Sequence, residues 1–210
     1  MEENQWTDPF YASFNLESMN YAPFVTPDGE RLYFISTEEN FFIHFHKDVY
    51  YVTRSGSDWS DPQRISDNVN DFSLNSEFSV AENYNLYFQD NDSHDLYYSK
   101  FSDGDYQEPE KLPEAINSSH LEEGSPFIAP GENYIIFSRK EGGFTNLYVS
   151  FKDQDNNWTE GVAFGSAINT DADECYGYVS ADEKFLFFLR KNQEGSFPYW
   201  VDASVIENLR

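Results

Sequence analysis

Four copies of one short aromatic or aliphatic cluster constrain this chain more than any other feature. Leu32-Tyr33-Phe34, Leu86-Tyr87-Phe88, Ile135-Ile136-Phe137 and Leu186-Phe187-Phe188 follow one another at spacings of 54, 49 and 51 residues. A period of this length marks a repeat architecture, in which each copy is one supersecondary unit that cannot bury its apolar face alone.

Each cluster has recurring neighbours. A short strand and a turn precede it: APFVTPDGE from Ala22, EFSVAENYN from Glu77, SPFIAPGEN from Ser125 and YGYVSADEK from Tyr176. A second cluster follows, DVYYV from Asp48, DLYYS from Asp95, NLYVS from Asn146 and FPYWV from Phe197, with one tyrosine in register at Tyr50, Tyr97, Tyr148 and Tyr199. An aromatic, an acidic residue and usually a proline close the unit: Trp59-Ser60-Asp61-Pro62, Tyr106-Gln107-Glu108-Pro109 and Trp158-Thr159-Glu160-Gly161. A further copy, Trp6-Thr7-Asp8-Pro9, stands near the N-terminus.

Each repeat therefore reads as four short strands of about 4 to 8 residues in an antiparallel meander, separated by Gly, Asp, Asn, Ser and Pro. Such sheets bury both faces only by stacking around an axis. The expected fold is all-β: a small β-propeller with four blades of four antiparallel strands, one domain over residues 1–210. The repeats run over about 16–66, 67–117, 118–169 and 170–202. The last lacks its closing element, so a strand over residues 4–14 is expected to complete the last blade and close the ring. The recurring tyrosines are expected between blades, each hydroxyl reaching a neighbour.

Composition agrees. Twenty Phe, 15 Tyr and 4 Trp make 19% of the chain aromatic, which suits half-buried strands better than helices. No run of about 18 apolar residues suggests a membrane span, and no basic start leads into a short apolar stretch. Cys175 is the only cysteine, so no intrachain disulfide can form. Thirteen Lys and Arg against 38 Asp and Glu give a formal charge of -25, which repels phosphate backbones and anionic lipid. Nucleic acid and membrane are not expected as partners. Solubility alone can also account for the acidity.

These motifs resemble the TolB-like or WD-type (PD40) β-propeller repeat of bacterial proteins, roughly S-P-D-G, L-Y-F, D-I-Y and W-x-x-P. Thr26-Pro27-Asp28-Gly29, Leu32-Tyr33-Phe34, Asp48-Val49-Tyr50 and Trp59-Ser60-Asp61-Pro62 carry the resemblance. Later repeats depart from it: Ala81-Glu82-Asn83 and Ala181-Asp182-Glu183 replace the Pro-Asp-Gly turn, and Gly161 replaces the closing proline. The resemblance implies an interaction surface and a periplasmic or extracellular location; a cytoplasmic one follows instead if Met1 is the native start.

Aligned at the innermost strand, Asn20, Leu74, Glu123 and Glu174 share a column, with Glu77 nearby. Innermost strands line a propeller's channel, so Asn20, Glu77, Glu123 and Glu174 are the candidate ligand or cation site at its mouth. Converging carboxylates suit Ca²⁺ or a cationic ligand; residues capping strand ends in solvent would look the same. His44 and His46 lie two apart, which on a strand places both imidazoles on one face able to offer two metal positions. The plainer reading is that they are polar positions on a hairpin lengthened by residues 41–47. Asp90-Asn91-Asp92 and Asp153-Gln154-Asp155-Asn156 lack the spacing of an EF-hand and read as hairpin turns.

No Gly-x-Ser-x-Gly elbow, phosphate-cradling loop or His-Glu-x-x-His is present, and no catalytic residue is assigned. The expected function is a non-catalytic, monomeric binding or scaffolding propeller for a protein or small ligand, using one face and the channel mouth. It needs no cofactor, Ca²⁺ being the one candidate. The alternative is a carbohydrate-active hydrolase or lyase using channel carboxylates or a His-bound metal.

Overall fold

Short runs of β-branched and aromatic residues broken every few positions by Gly, Asn, Asp and Pro leave the chain little choice but sequential antiparallel pairing. The computed structural model describes residues 8–16, 18–38, 46–72 and 74–210. The first blade holds β1 (Met19–Val25), β2 (Arg31–Glu38), β3 (His46–Ser55), β4 (Asp58–Trp59) and β5 (Gln63–Arg64). A single helical turn, α1 (Asp67–Asn70), leads to the second, with β6 (Leu74–Val80), β7 (Leu86–Asp90), β8 (Leu96–Ser99), β9 (Phe101–Ser102), β10 (Asp105–Tyr106) and β11 (Glu110–Lys111). The third holds β12 (Glu122–Ile128), β13 (Tyr134–Glu141), β14 (Phe144–Phe151) and β15 (Val162–Ala163). The fourth holds β16 (Asp173–Val179), β17 (Phe185–Asn192) and β18 (Gly195–Asp202), followed by α2 (Ser204–Glu207).

The chain is thus a four-bladed β-propeller, each blade a meander running outward from β1, β6, β12 and β16. The outermost strands differ from expectation. β5, β11 and β15 are two residues long and lie just beyond the aromatic-acidic element, while Trp59 and Tyr106 sit on β4 and β10, which fold back on β3 and β9. Proline at the end of that element cannot donate to a ladder, so pairing resumes only after it.

The turn after each innermost strand is the same despite its changing sequence. Its fourth residue donates its N–H to the carbonyl of the first: Gly29 to Thr26, Tyr84 to Ala81, Glu132 to Ala129 and Glu183 to Ser180. All four have positive φ, 72° at Gly29 and 67°, 55° and 56° at the others. Side chains tolerate this conformation where they gain contacts. Tyr84 reaches back to the first blade, its hydroxyl donating to Asp28 and its ring lying 4.0 Å from the Arg31 guanidinium. Glu132 reaches back to the second blade and accepts from Asn83, Asn85 and Tyr87.

Three buried clusters hold the blades together. Tyr33, Ile35 and Val49 meet Phe78, Leu86 and Phe88 between blades one and two. Tyr87, Leu96 and Ile116 meet Ile135, Phe137 and Tyr148 between two and three. Ile136, Leu147 and Val149 meet Val179, Leu186 and Phe188 between three and four. Each recurring tyrosine stacks on the phenylalanine opposite it on the neighbouring strand of its own blade. The pairs Phe34–Tyr50, Phe88–Tyr97, Phe137–Tyr148 and Phe188–Tyr199 have centroids 5.9, 6.1, 5.9 and 5.8 Å apart and planes within 23°. Stacks of this kind add about 0.5–1.5 kcal/mol each beyond burial.

The ring-closing strand over residues 4–14 needs correction for its described part. Residues 8–14 pair with no strand and lie on the first blade, where Ser13 donates to Asp58 and Phe14 packs on Phe34 and Trp59 at 5.6 and 6.3 Å. Residues 1–7, Trp6 among them, lie outside the described residues. Phe14 thereby covers the Phe34 face that closure would turn toward the last blade. Among the described residues the fourth sheet has three strands, and Phe185, Phe187 and Trp200 on it are 36, 41 and 62% exposed.

A second reason lies in the sequence of β18. In the first three blades a buried or half-buried asparagine ties the outer elements to the third strand. Asn70, Asn117 and Asn169 each accept the N–H of one residue, Val49, Leu96 and Leu147, at 2.8 Å. The register puts Pro198 in the same place on the fourth blade, opposite Leu189. Proline has no N–H to give, so this tie cannot form there.

Candidate ligand site on the propeller axis

Each innermost strand carries a bulge where its pairing register shifts, between Tyr21 and Phe24, Leu74 and Phe78, Gly124 and Phe127, and Cys175 and Tyr178. The extra residue, two of them on β6, bends the strand and re-aims the side chains after it. Ala22, Ser125 and Tyr176 take positive φ at these bulges. The consequence is an axial cavity of about 280 Å³ lined by residues 22–24, 77–79, 125–127 and 176–178, three from every blade. A second cavity, of about 270 Å³, continues along the axis on the side of the inner turns. Phe24, Phe127 and Tyr178 line both. Phe127 and Tyr178 meet edge to face at 5.2 Å, and Phe24 lies 6.3 Å from Phe78.

Gly177 makes this approach possible. A Cβ there would sit 2.7 Å from Ile136 of the third blade, so a larger residue would push β16 outward.

Among the predicted site residues, Glu77 alone lines this cavity. Its Oε2 accepts from the Ser125 backbone N–H at 2.6 Å and the Ser125 hydroxyl at 2.9 Å, fixing the carboxylate across the boundary of blades two and three. Burial and the adjacent Glu77 push the Tyr176 phenol well above its ordinary range. Burial, reinforced by Glu77, raises the Cys175 thiol to about 11. A thiol so placed is neutral near pH 7 and a poor nucleophile.

Glu123 and Glu174 are elsewhere. They are 1 and 0% exposed, inside the blades, and line neither axial cavity. Each pairs with an arginine on the next strand, Glu123 with Arg139 at 2.8 Å and Glu174 with Arg190 at 2.7 Å. The guanidiniums also donate to Ile116 and Ile168 carbonyls and lie over Tyr148 and Tyr199 at 4.7 and 4.6 Å. Burial holds the Glu123 carboxyl above its ordinary range against the lowering pull of the Ser118 N–H and Arg139.

Asn20 donates to the carbonyls of Leu16 and Ser18 and to Asn15. Its side chain thus braces the segment lying on the first blade. His44 lies outside the described residues, and only the backbone of His46, at the start of β3, is described. Among the described residues, no group of three or more His, Cys, Asp and Glu is arranged to hold a metal ion. The Asp-rich stretches are turns: Asp90 accepts from the Ser93 N–H, and Asp153 from those of Asp155 and Asn157.

The aromatic residues that shape the cavity were not among the sequence candidates. Their signal was available: Phe24, Phe78, Phe127 and Tyr178 each stand eight residues ahead of the aromatic cluster in their repeat.

Blades fanned around an axis, with an aromatic-walled cavity where their innermost strands converge, define a β-propeller. No known family pattern matches the chain, and no curated protein does. Solved structures match in fold, TolB propellers among them. A TolB-like protein from Agrobacterium tumefaciens superimposes with a TM-score of 0.61 at 12% identity, over 90% of this chain and 60% of its own. TolB from Acinetobacter baumannii gives 0.59 at 15%, over 89% of this chain and 42% of its own. A post-proline cleaving enzyme from Rickettsia typhi gives 0.51 at 9%, over 84% and 25%. The chain thus spans 60% or less of the length of these proteins, and the likeness is one of fold.

Proposed function

We propose that the chain is a non-catalytic binding propeller that takes its ligand at the axial cavity. One observation carries this reading: all four innermost strands contribute consecutive residues to a single pocket with aromatic walls and one fixed carboxylate. Concave, mostly apolar sites with a few placed polar groups are the usual form of ligand sites. The formal charge of -25 supports a ligand other than nucleic acid. The hydrolase or lyase alternative draws on Glu123 and Glu174, and both already serve an arginine.

Amide shifts of labelled protein titrated with a small-molecule and peptide library test the reading. The expected shifts concentrate at residues 22–24, 77–79, 125–127 and 176–178. Shifts confined to other surfaces, or turnover on a panel of glycosides, overturn it.

A further inference from the structure

Three buried or half-buried carboxylates in this molecule can be compared by what neutralises them. Glu123 and Glu174 each face a guanidinium. Glu77 faces dipoles only, the N–H and hydroxyl of Ser125 and the hydroxyl of Tyr176. Among the described residues no Lys, Arg or His forms an ion pair with it. Dipoles fix a carboxylate and support its charge without cancelling it. A carboxylate with no cation beside it among the described residues therefore stands at the wall of a cavity lined mainly by apolar and aromatic residues, Phe24, Phe78, Phe127 and Tyr178 among them.

Aromatic faces carry negative electrostatic potential and attract cations of low charge density, most strongly where water is displaced. A hard cation such as Ca²⁺ asks for six to eight oxygen ligands, which these walls do not offer. An organic ammonium needs the opposite: one countercharge and apolar, polarisable surroundings for its methyl or methylene groups. The acidity of the whole chain draws such a cation toward the axis.

We propose that the axial cavity binds an alkylammonium group, paired with Glu77 and enclosed by Phe24, Phe127 and Tyr178. The inference rests on the axial reading above and adds the chemistry of the ligand. The group can come from a small amine in solution or from a lysine side chain presented by a partner.

The test is a titration of the whole chain, by calorimetry and amide shifts, with choline, its neutral isostere 3,3-dimethylbutan-1-ol, and Nα-acetyl-lysine amide. An ammonium probe is expected to shift residues 24, 127 and 178 and to bind at least about tenfold more tightly than the isostere, the scale of a desolvated cation on aromatic faces. Glu77→Gln is expected to erase that preference. Its amide oxygen still accepts from Ser125, so an unchanged melting temperature separates lost charge from lost fold, and Phe127→Leu should weaken ammonium binding with Glu77 intact. Tighter binding of choline identifies a free amine as the source, and tighter binding of the lysine amide a presented side chain. If the isostere binds at the axis as tightly as the ammonium probes, or Glu77→Gln keeps the preference, the ammonium inference falls and the axial reading stands. Shifts away from the axis overturn both.

Discussion

The carboxamide of Asn117 satisfies both main-chain groups of Leu96: Oδ1 accepts the Leu96 N–H at 2.8 Å, and Nδ2 donates to the Leu96 carbonyl at 2.9 Å. The same amide also donates to the Leu112 carbonyl at 2.8 Å. One side chain thus takes the place of an outer strand that β11, two residues long, is too short to supply. Asn70 repeats the arrangement on Val49 and Ile65, and Asn169 on Leu147 and Phe164.

Asn117→Ala should therefore destabilise the protein by about 3 kcal/mol, because the buried Leu96 N–H and Leu112 carbonyl lose the partner Asn117 gives them and the Leu96 carbonyl keeps only the Leu112 N–H. Urea unfolding measures this. A loss below about 1 kcal/mol would show that water or a shifted β11 replaces the amide.

Arg139→Met takes the guanidinium from Glu123 and leaves a buried carboxyl that must either hold its charge on the Ser118 N–H or take up a proton, at an expected cost of about 3–5 kcal/mol. Replacing both, Glu123→Gln with Arg139→Met, should recover most of the loss, since the uncompensated charge goes too. Equal destabilisation of the single and double variants would mean that Arg139 acts through its stacking on Tyr148 and not through the ion pair.

Glu132 gives the expected pH dependence. Burial alone would raise its pKa, but hydrogen bonds from Tyr87, Asn85 and Asn83 outweigh burial and hold it below the ordinary range. A carboxyl with a depressed folded pKa contributes stability above its unfolded value, about 4.3, and loses it as pH falls through the folded one. Melting temperatures from pH 7 down to pH 2 should fall more steeply below about pH 4 in the native protein than in Glu132→Gln, which should start lower at neutral pH. Parallel acid limbs would remove Glu132 from the account.

The repeat period, the strand and turn grammar and hence the four blades were legible in the sequence, because each depends on local chemistry: alternation, aromatic content and turn residues. The Pro-Asp-Gly motif at residues 27–29 marked its turn openly. The matching turns were legible too, but not the positive φ at Tyr84, Glu132 and Glu183, which no glycine marks; Tyr84 and Glu132 use it to reach the preceding blade. The column holding Glu123 and Glu174 was also read correctly as a column. Whether it faced the channel or the interior depended on the bulges at Gly124–Phe127 and Cys175–Tyr178 and on the arginines 16 residues further along each repeat. Likewise the N-terminal segment carried a plausible copy of the closing element, yet Phe14 found the open face of Phe34 on the first blade. Local sequence sets which strands form and in what order. Only packing in three dimensions decides which charge finds a partner, and among the described residues it gave Glu77 on the axis hydrogen-bond donors but no cation.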